Sequence, residues 1–136
     1  MSETKDFLVA HASAAKWKDA ASEIIVSLKN VTAEHRLGFL YVTDDYADSL
    51  KDISVFLKQT TGVPHWVGTV GFGICALATE YFGKAAMAVM IAPIPEDAFR
   101  TFNGVKSDVS AVVSNLQEWI GDTPPLIVTH ADPRNQ

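Results

Sequence analysis

The segment Val67-Gly68-Thr69-Val70-Gly71-Phe72-Gly73-Ile74 is where this chain is most disposed to chemistry. Glycine has no Cβ, so such spacing lets the backbone reach positive φ angles and lets a ligand come close to peptide N–H groups. Those groups, with the Thr69 hydroxyl beside them, would suit a carboxylate or similar anion. The candidate ligand-binding residues are therefore Gly68, Thr69, Val70, Gly71, Phe72 and Gly73. The order here is G-x-x-G-x-G leading into a strand, whereas a dinucleotide fingerprint runs G-x-G-x-x-G into a helix. A P-loop is excluded too, because Gly83-Lys84 is followed by Ala85 rather than Ser or Thr. The alternative is structural: the same glycines would serve a tight bend between two buried strands.

Other chemistries find less support. The histidines His11, His35, His65 and His130 show no H-x-x-x-H or comparable spacing, so no metal site and no cofactor are expected. His11 and His130 fall near the carboxyl ends of candidate strands, where open α/β sheets form their crevices. His65 starts its own strand. Single satisfied or exposed histidines are the plainer reading. Cys75 is the lone thiol, which excludes an intramolecular disulfide and a cysteine-built zinc site. Its neighbours Ile74, Ala76 and Leu77 predict a buried, inert side chain. No G-x-S-x-G elbow occurs, so no residue is assigned a catalytic role. Asp44, Asp45 and Asp48 could meet a cation, but a solvated helix start accounts for them equally simply.

The elements that must position these residues follow from periodicity. Phe7 to Ala12 is a short apolar strand, Ser13 the expected N-cap, and Trp17, Ala20, Ala21, Ile24 and Leu28 recur at helical spacing. Leu37 to Thr43 is a second strand. Asp44 and Asp45 are expected to cap a helix carrying Tyr46, Leu50, Ile53 and Leu57, which Gly62 and Pro64 stop. His65 to Val70 leads into the glycine turn. Ile74 to Tyr81 and Ala85 to Ala92 are expected to pair as a hairpin about Phe82-Gly83-Lys84. After the irregular stretch Ala98 to Gly104, Ser107 should cap a helix bearing Val109, Val112, Val113, Leu116 and Ile120, and Leu126 to His130 should be a last strand. The order β-α-β-α-β-β-β-α-β predicts an α/β domain with a mixed, partly parallel sheet and helices packed on it.

At 136 residues the chain fits one domain. Its net charge of −5 and scattered Lys and Arg residues argue against a nucleic-acid platform or a polybasic membrane patch. Residues 59–79 lack charge, yet Pro64 and four glycines suit short strands better than a lipid-exposed helix. The start of the sequence has no basic segment ahead of a long apolar run, so a cytoplasmic location is expected.

The order of segments resembles the FIST N domain, a sensory module of signalling proteins. The likeness is carried by Leu37 to Thr43 opening into Asp44-Asp45, by Val63-Pro64-His65-Trp66-Val67-Gly68 leading to Gly73-Ile74, and by a late apolar strand running to Asp132-Pro133. Thr69 stands where family members commonly carry Cys or Ser. The resemblance implies a non-catalytic sensor of a small ligand, an amino acid or related metabolite, and a FIST C-type partner domain. An uncovered strand edge near residue 130 would then favour a homodimer through the hairpin and the last strand. Two other classes stay open: an interaction or scaffold domain using Trp66 and the apolar hairpin, and a small hydrolase or transferase using Cys75 or a histidine.

Overall fold

The computed structural model describes residues 6–106, 108–132 and 134. They fall into two compact units, Met1–Phe99 and Arg100–Gln136, divided within the stretch the sequence marks as irregular. The first unit contains the strands β1 (Leu8–Ser13), β2 (Leu37–Thr43), β3 (His65–Gly71), β4 (Gly73–Ala76), β5 (Thr79–Phe82) and β6 (Ala86–Ala92), with helices α1 (Trp17–Ser27) and α2 (Leu50–Thr61). The second contains α3 (Ser110–Ile120), a helix without buried residues.

The expected mixed, partly parallel sheet is present, in the order β1-β6-β2-β3. β2 and β3 are parallel, while β6 runs antiparallel to both β1 and β2. β1, β2 and β3 therefore point the same way, and their carboxyl ends lie along one edge. β1-α1-β2 and β2-α2-β3 step across the sheet in the same direction, which puts both helices on one face. Ala20, Ala21 and Ile24 of α1 and Ile53 and Leu57 of α2 pack there against Leu40, Val42, Met87, Val89 and Ile91. Each large aliphatic side chain buried in this layer is worth about 1.5–3 kcal/mol.

Several expected elements take another form. Residues 74–81 do not make one strand. β4 and β5 pair with each other as a separate two-stranded sheet, and β6, apolar along its whole length, is buried in the middle of the main sheet instead. Ser13 is no N-cap: it ends β1 and donates to the Ala85 carbonyl at 2.7 Å. Asp44 and Asp45 open a 3-10 turn, Asp44–Ser49, and make no side-chain cap. Ser107 lies outside the described residues; Asp108 Oδ1 accepts the Ser110 N–H at 2.8 Å ahead of α3. Residues 126–130 form no strand, and Leu126 is almost fully exposed. Pro133 lies outside the described residues. Gly62 does end α2, at φ 76°, as expected.

Two glycines let β2 and β3 lie together. The Trp66 ring covers Gly38, where a Cβ would sit 2.5 Å from it, and Trp66 Nε1 donates to the Val63 carbonyl at 2.9 Å. A Cβ at Gly68 would overlap the Leu40 carbonyl oxygen itself. Gly68→Ala must therefore push the strands apart and should cost about 3 kcal/mol or more. Gly104→Ala, where nothing lies within 4 Å, should stay within about 0.5 kcal/mol of the parent. Thermal or urea unfolding of the two variants checks this; equal stabilities would contradict the β2–β3 approach.

Candidate functional site

Strand alternation sorts the side chains of the main sheet between its two faces. In β2, Leu40 and Val42 meet the helices, so Phe39 and Tyr41 face the other way. Register then aligns Val9, Met90, Phe39 and Val67 as one row on that second face, and His11, Ala88, Tyr41 and Thr69 as the next. With strands about 4.8 Å apart, each row is about 14 Å long, and the two rows are about 7 Å apart. The first row is wholly apolar and partly exposed, Val9 reaching 38%. The second is polar at three of its four positions and lies toward the carboxyl ends of β1, β2 and β3.

The β4–β5 hairpin bounds this strip at one end. Its inward residues Ile74, Ala76 and Tyr81 pack on Ala86, Ala88 and Tyr41. The Tyr81 hydroxyl hydrogen-bonds His11 Nδ1 at 2.6 Å, and the two rings meet edge to face with centroids 5.6 Å apart. Burial raises the pKa of Tyr41 above its ordinary value. At the other end, about 13 Å away along β3, the Glu96 carboxylate accepts from Arg36 Nε at 3.2 Å and pairs with His65 Nε2 at 2.7 Å. Phe99 stands edge-on to His65.

Of the six glycine-segment residues, Thr69 alone presents a side chain to this face. Val70 packs toward the helices, Gly68 abuts Leu40, and Phe72 projects at the bend with 79% exposure. Gly71 and Gly73 have no positive φ. Glycine is needed there for close approach: a Cβ would lie 3.0 Å from the Gly73 carbonyl oxygen and 3.1 Å from that of Tyr81, respectively.

Cys75 corrects an expectation, being exposed rather than buried. β4 alternates, so Ile74 and Ala76 turn inward while Cys75 faces out, opposite Glu80. His35 is the satisfied core histidine: the Thr32 N–H donates to Nδ1 at 3.1 Å, leaving Nε2–H for the Asp6 carbonyl at 3.0 Å. His130 lies in a segment without strand, so the expected position at a strand end does not hold for it. The Asp44, Asp45 and Asp48 side chains are solvated. Among the described residues no three His, Cys, Asp or Glu side chains gather to hold a metal ion, and no helix is long and apolar enough to cross a membrane. Comparison with protein-family models, curated proteins and solved structures finds no match to the chain.

Sequence reading reached Thr69 and His11 but missed Tyr41, Tyr81, Phe39 and Met90. The two-residue period of a strand places His11 on the side of Val9, whereas LGFLYVT is apolar at both odd and even positions and gives Tyr41 no such signal.

The Glu96 cluster generates a pH prediction. The hydrogen bond from His65, and then that from Arg36, hold its carboxyl below the ordinary 4.5. Its stabilising contribution is thus complete above the unfolded pKa and disappears as the pH falls through the lower folded value. Melting curves of Glu96→Gln and the parent should differ at pH 6 and converge toward pH 3. A constant difference across that range would contradict the contacts of Glu96 with His65 and Arg36.

Proposed function

We propose that this chain is a non-catalytic, small-ligand-binding domain of a sensory, signal-transducing protein, its ligand an amino acid or related metabolite. The observation that carries this reading is the apolar strip ending in the polar row of His11, Tyr41 and Thr69. Such a row lies where α/β sheets tend to bind ligands, toward the carboxyl ends of like-directed strands. The sensory assignment, a cytoplasmic setting and a FIST C-type partner domain rest on the sequence resemblance to FIST N domains, and the lone cysteine accords with that setting. A catalytic reading has less behind it, since Cys75 faces away from the hairpin side that meets His11.

A panel of amino acids, their amides and small aromatic metabolites tests the proposal by thermal shift. A ligand at ten times its Kd should raise the melting temperature by about 4 °C, and Thr69→Val should reduce the shift. No shift from any compound at millimolar concentration would count decisively against it.

A second reading, self-association through the hairpin, is favoured by Phe72, Leu77 and Phe82, exposed to 79%, 78% and 81%. Leu77 also holds φ 53° at the turn, a conformation bulky residues rarely adopt. Light scattering should then give twice the 14.8 kDa chain mass, reverting to one chain in Phe82→Asp; a monomeric parent would exclude this.

A further inference from the structure

The outward side of the β4–β5 hairpin carries an apolar ring between two fixed charges of opposite sign. Ile74, Ala76 and Tyr81 turn inward, so Glu80 and Phe82, which alternate with Tyr81 along β5, are exposed on the other side. Phe82 pairs with Gly73 in the register of the hairpin, and its ring lies 3.2 Å from where a Cβ on that glycine would stand. Lys84 follows just past the Gly83 turn, at φ 67°, and is exposed as well. Among the described residues neither Glu80 nor Lys84 takes part in an ion pair.

Glu80 and Lys84 thus stand two residues before and two residues after Phe82. A two-fold axis beside Phe82 that sets β5 antiparallel to its copy exchanges those two positions. Phe82 then meets its own copy, and an acidic and a basic side chain come opposite one another on both sides of the axis. Two residues of extended chain span about 7 Å, and the flexible lysine stem takes up the offset that the Gly83 turn introduces. Of the three exposed apolar residues Phe72, Leu77 and Phe82, only Phe82 lies midway between opposite charges.

We infer that the hairpin is the contact of a two-fold symmetric dimer centred on Phe82, with Glu80 of each chain facing Lys84 of the partner subunit. This rests on the self-association reading above and adds what selects the partner. The partner is a second copy of this chain, because the charges about Phe82 complement themselves. Exposed pairs add little affinity, but a like-charge mismatch penalises other registers, so the pairs fix how two apolar patches meet.

Charge reversal in trans tests this. Glu80→Lys leaves only positive charge about Phe82, and Lys84→Glu leaves only negative charge. Both side chains are exposed and the Lys84 carbonyl that accepts from Thr43 is backbone, so both variants should melt like the parent. Each alone should dimerise about tenfold more weakly than the parent in sedimentation equilibrium at low salt. Their equimolar mixture should recover the parent's affinity as a mixed dimer, and so should the chain carrying both substitutions. If the parent is monomeric at every concentration, the self-association reading and the charge pairing fall together. If the parent dimerises but the single variants dimerise equally well, or their mixture stays as weak as each alone, the pairing about Phe82 is wrong and the hairpin reading survives.

Discussion

The insertion of β6 between β1 and β2 is the constraint on which the rest depends. The strand is covered by the helices on one face and by the hairpin at Ala86 and Ala88 on the other, and every residue of Ala-Met-Ala-Val-Met-Ile-Ala is apolar. Toward the helices it supplies Met87, Val89 and Ile91, the middle of the core. Toward the other face it supplies Ala86, Ala88 and Met90. Thr43 ties its entry: the buried hydroxyl accepts the Ala86 N–H at 2.9 Å and donates to the Lys84 carbonyl at 3.1 Å. Without β6, β1 and β2 would share no sheet, and His11 and Tyr41 would share no row.

From that strand the chemistry follows by size and sign. Small alanines admit the hairpin, which brings Tyr81 to His11. The contacts of Arg36 and His65 with the Glu96 carboxylate hold residue 96 against the starts of β2 and β3, where exposed ion pairs add little stability but fix geometry. Between these ends lies partly exposed apolar surface with neutral polar groups along one side.

Local pattern made much of the fold legible. Helical spacing located α1 and α2, and the long apolar runs located β2 and β6. Three features were not legible, each for its own physical reason. Residues 74–81 read as one strand because the Leu77-Ala78 turn lacks the glycine that usually marks a two-residue loop. Cys75 read as buried because apolar neighbours in sequence say nothing of alternation against a single covering layer. Tyr41 went unnoticed because β2 is apolar on both faces, which hides its period of two. Thr69 stood out as the hydroxyl within the glycine segment, and His11 as a histidine near the carboxyl end of a short apolar strand.

Methionine oxidation reads the openness of the strip directly. Met87 and Met90 lie three residues apart on β6, the first fully buried toward the helices and the second partly exposed on the strip. Brief treatment of the native protein with hydrogen peroxide, followed by peptide mass spectrometry, gives the two rates. Met90 should be oxidised several-fold faster than Met87. Equal protection of both methionines would contradict it, because the face proposed to receive a ligand would then be closed.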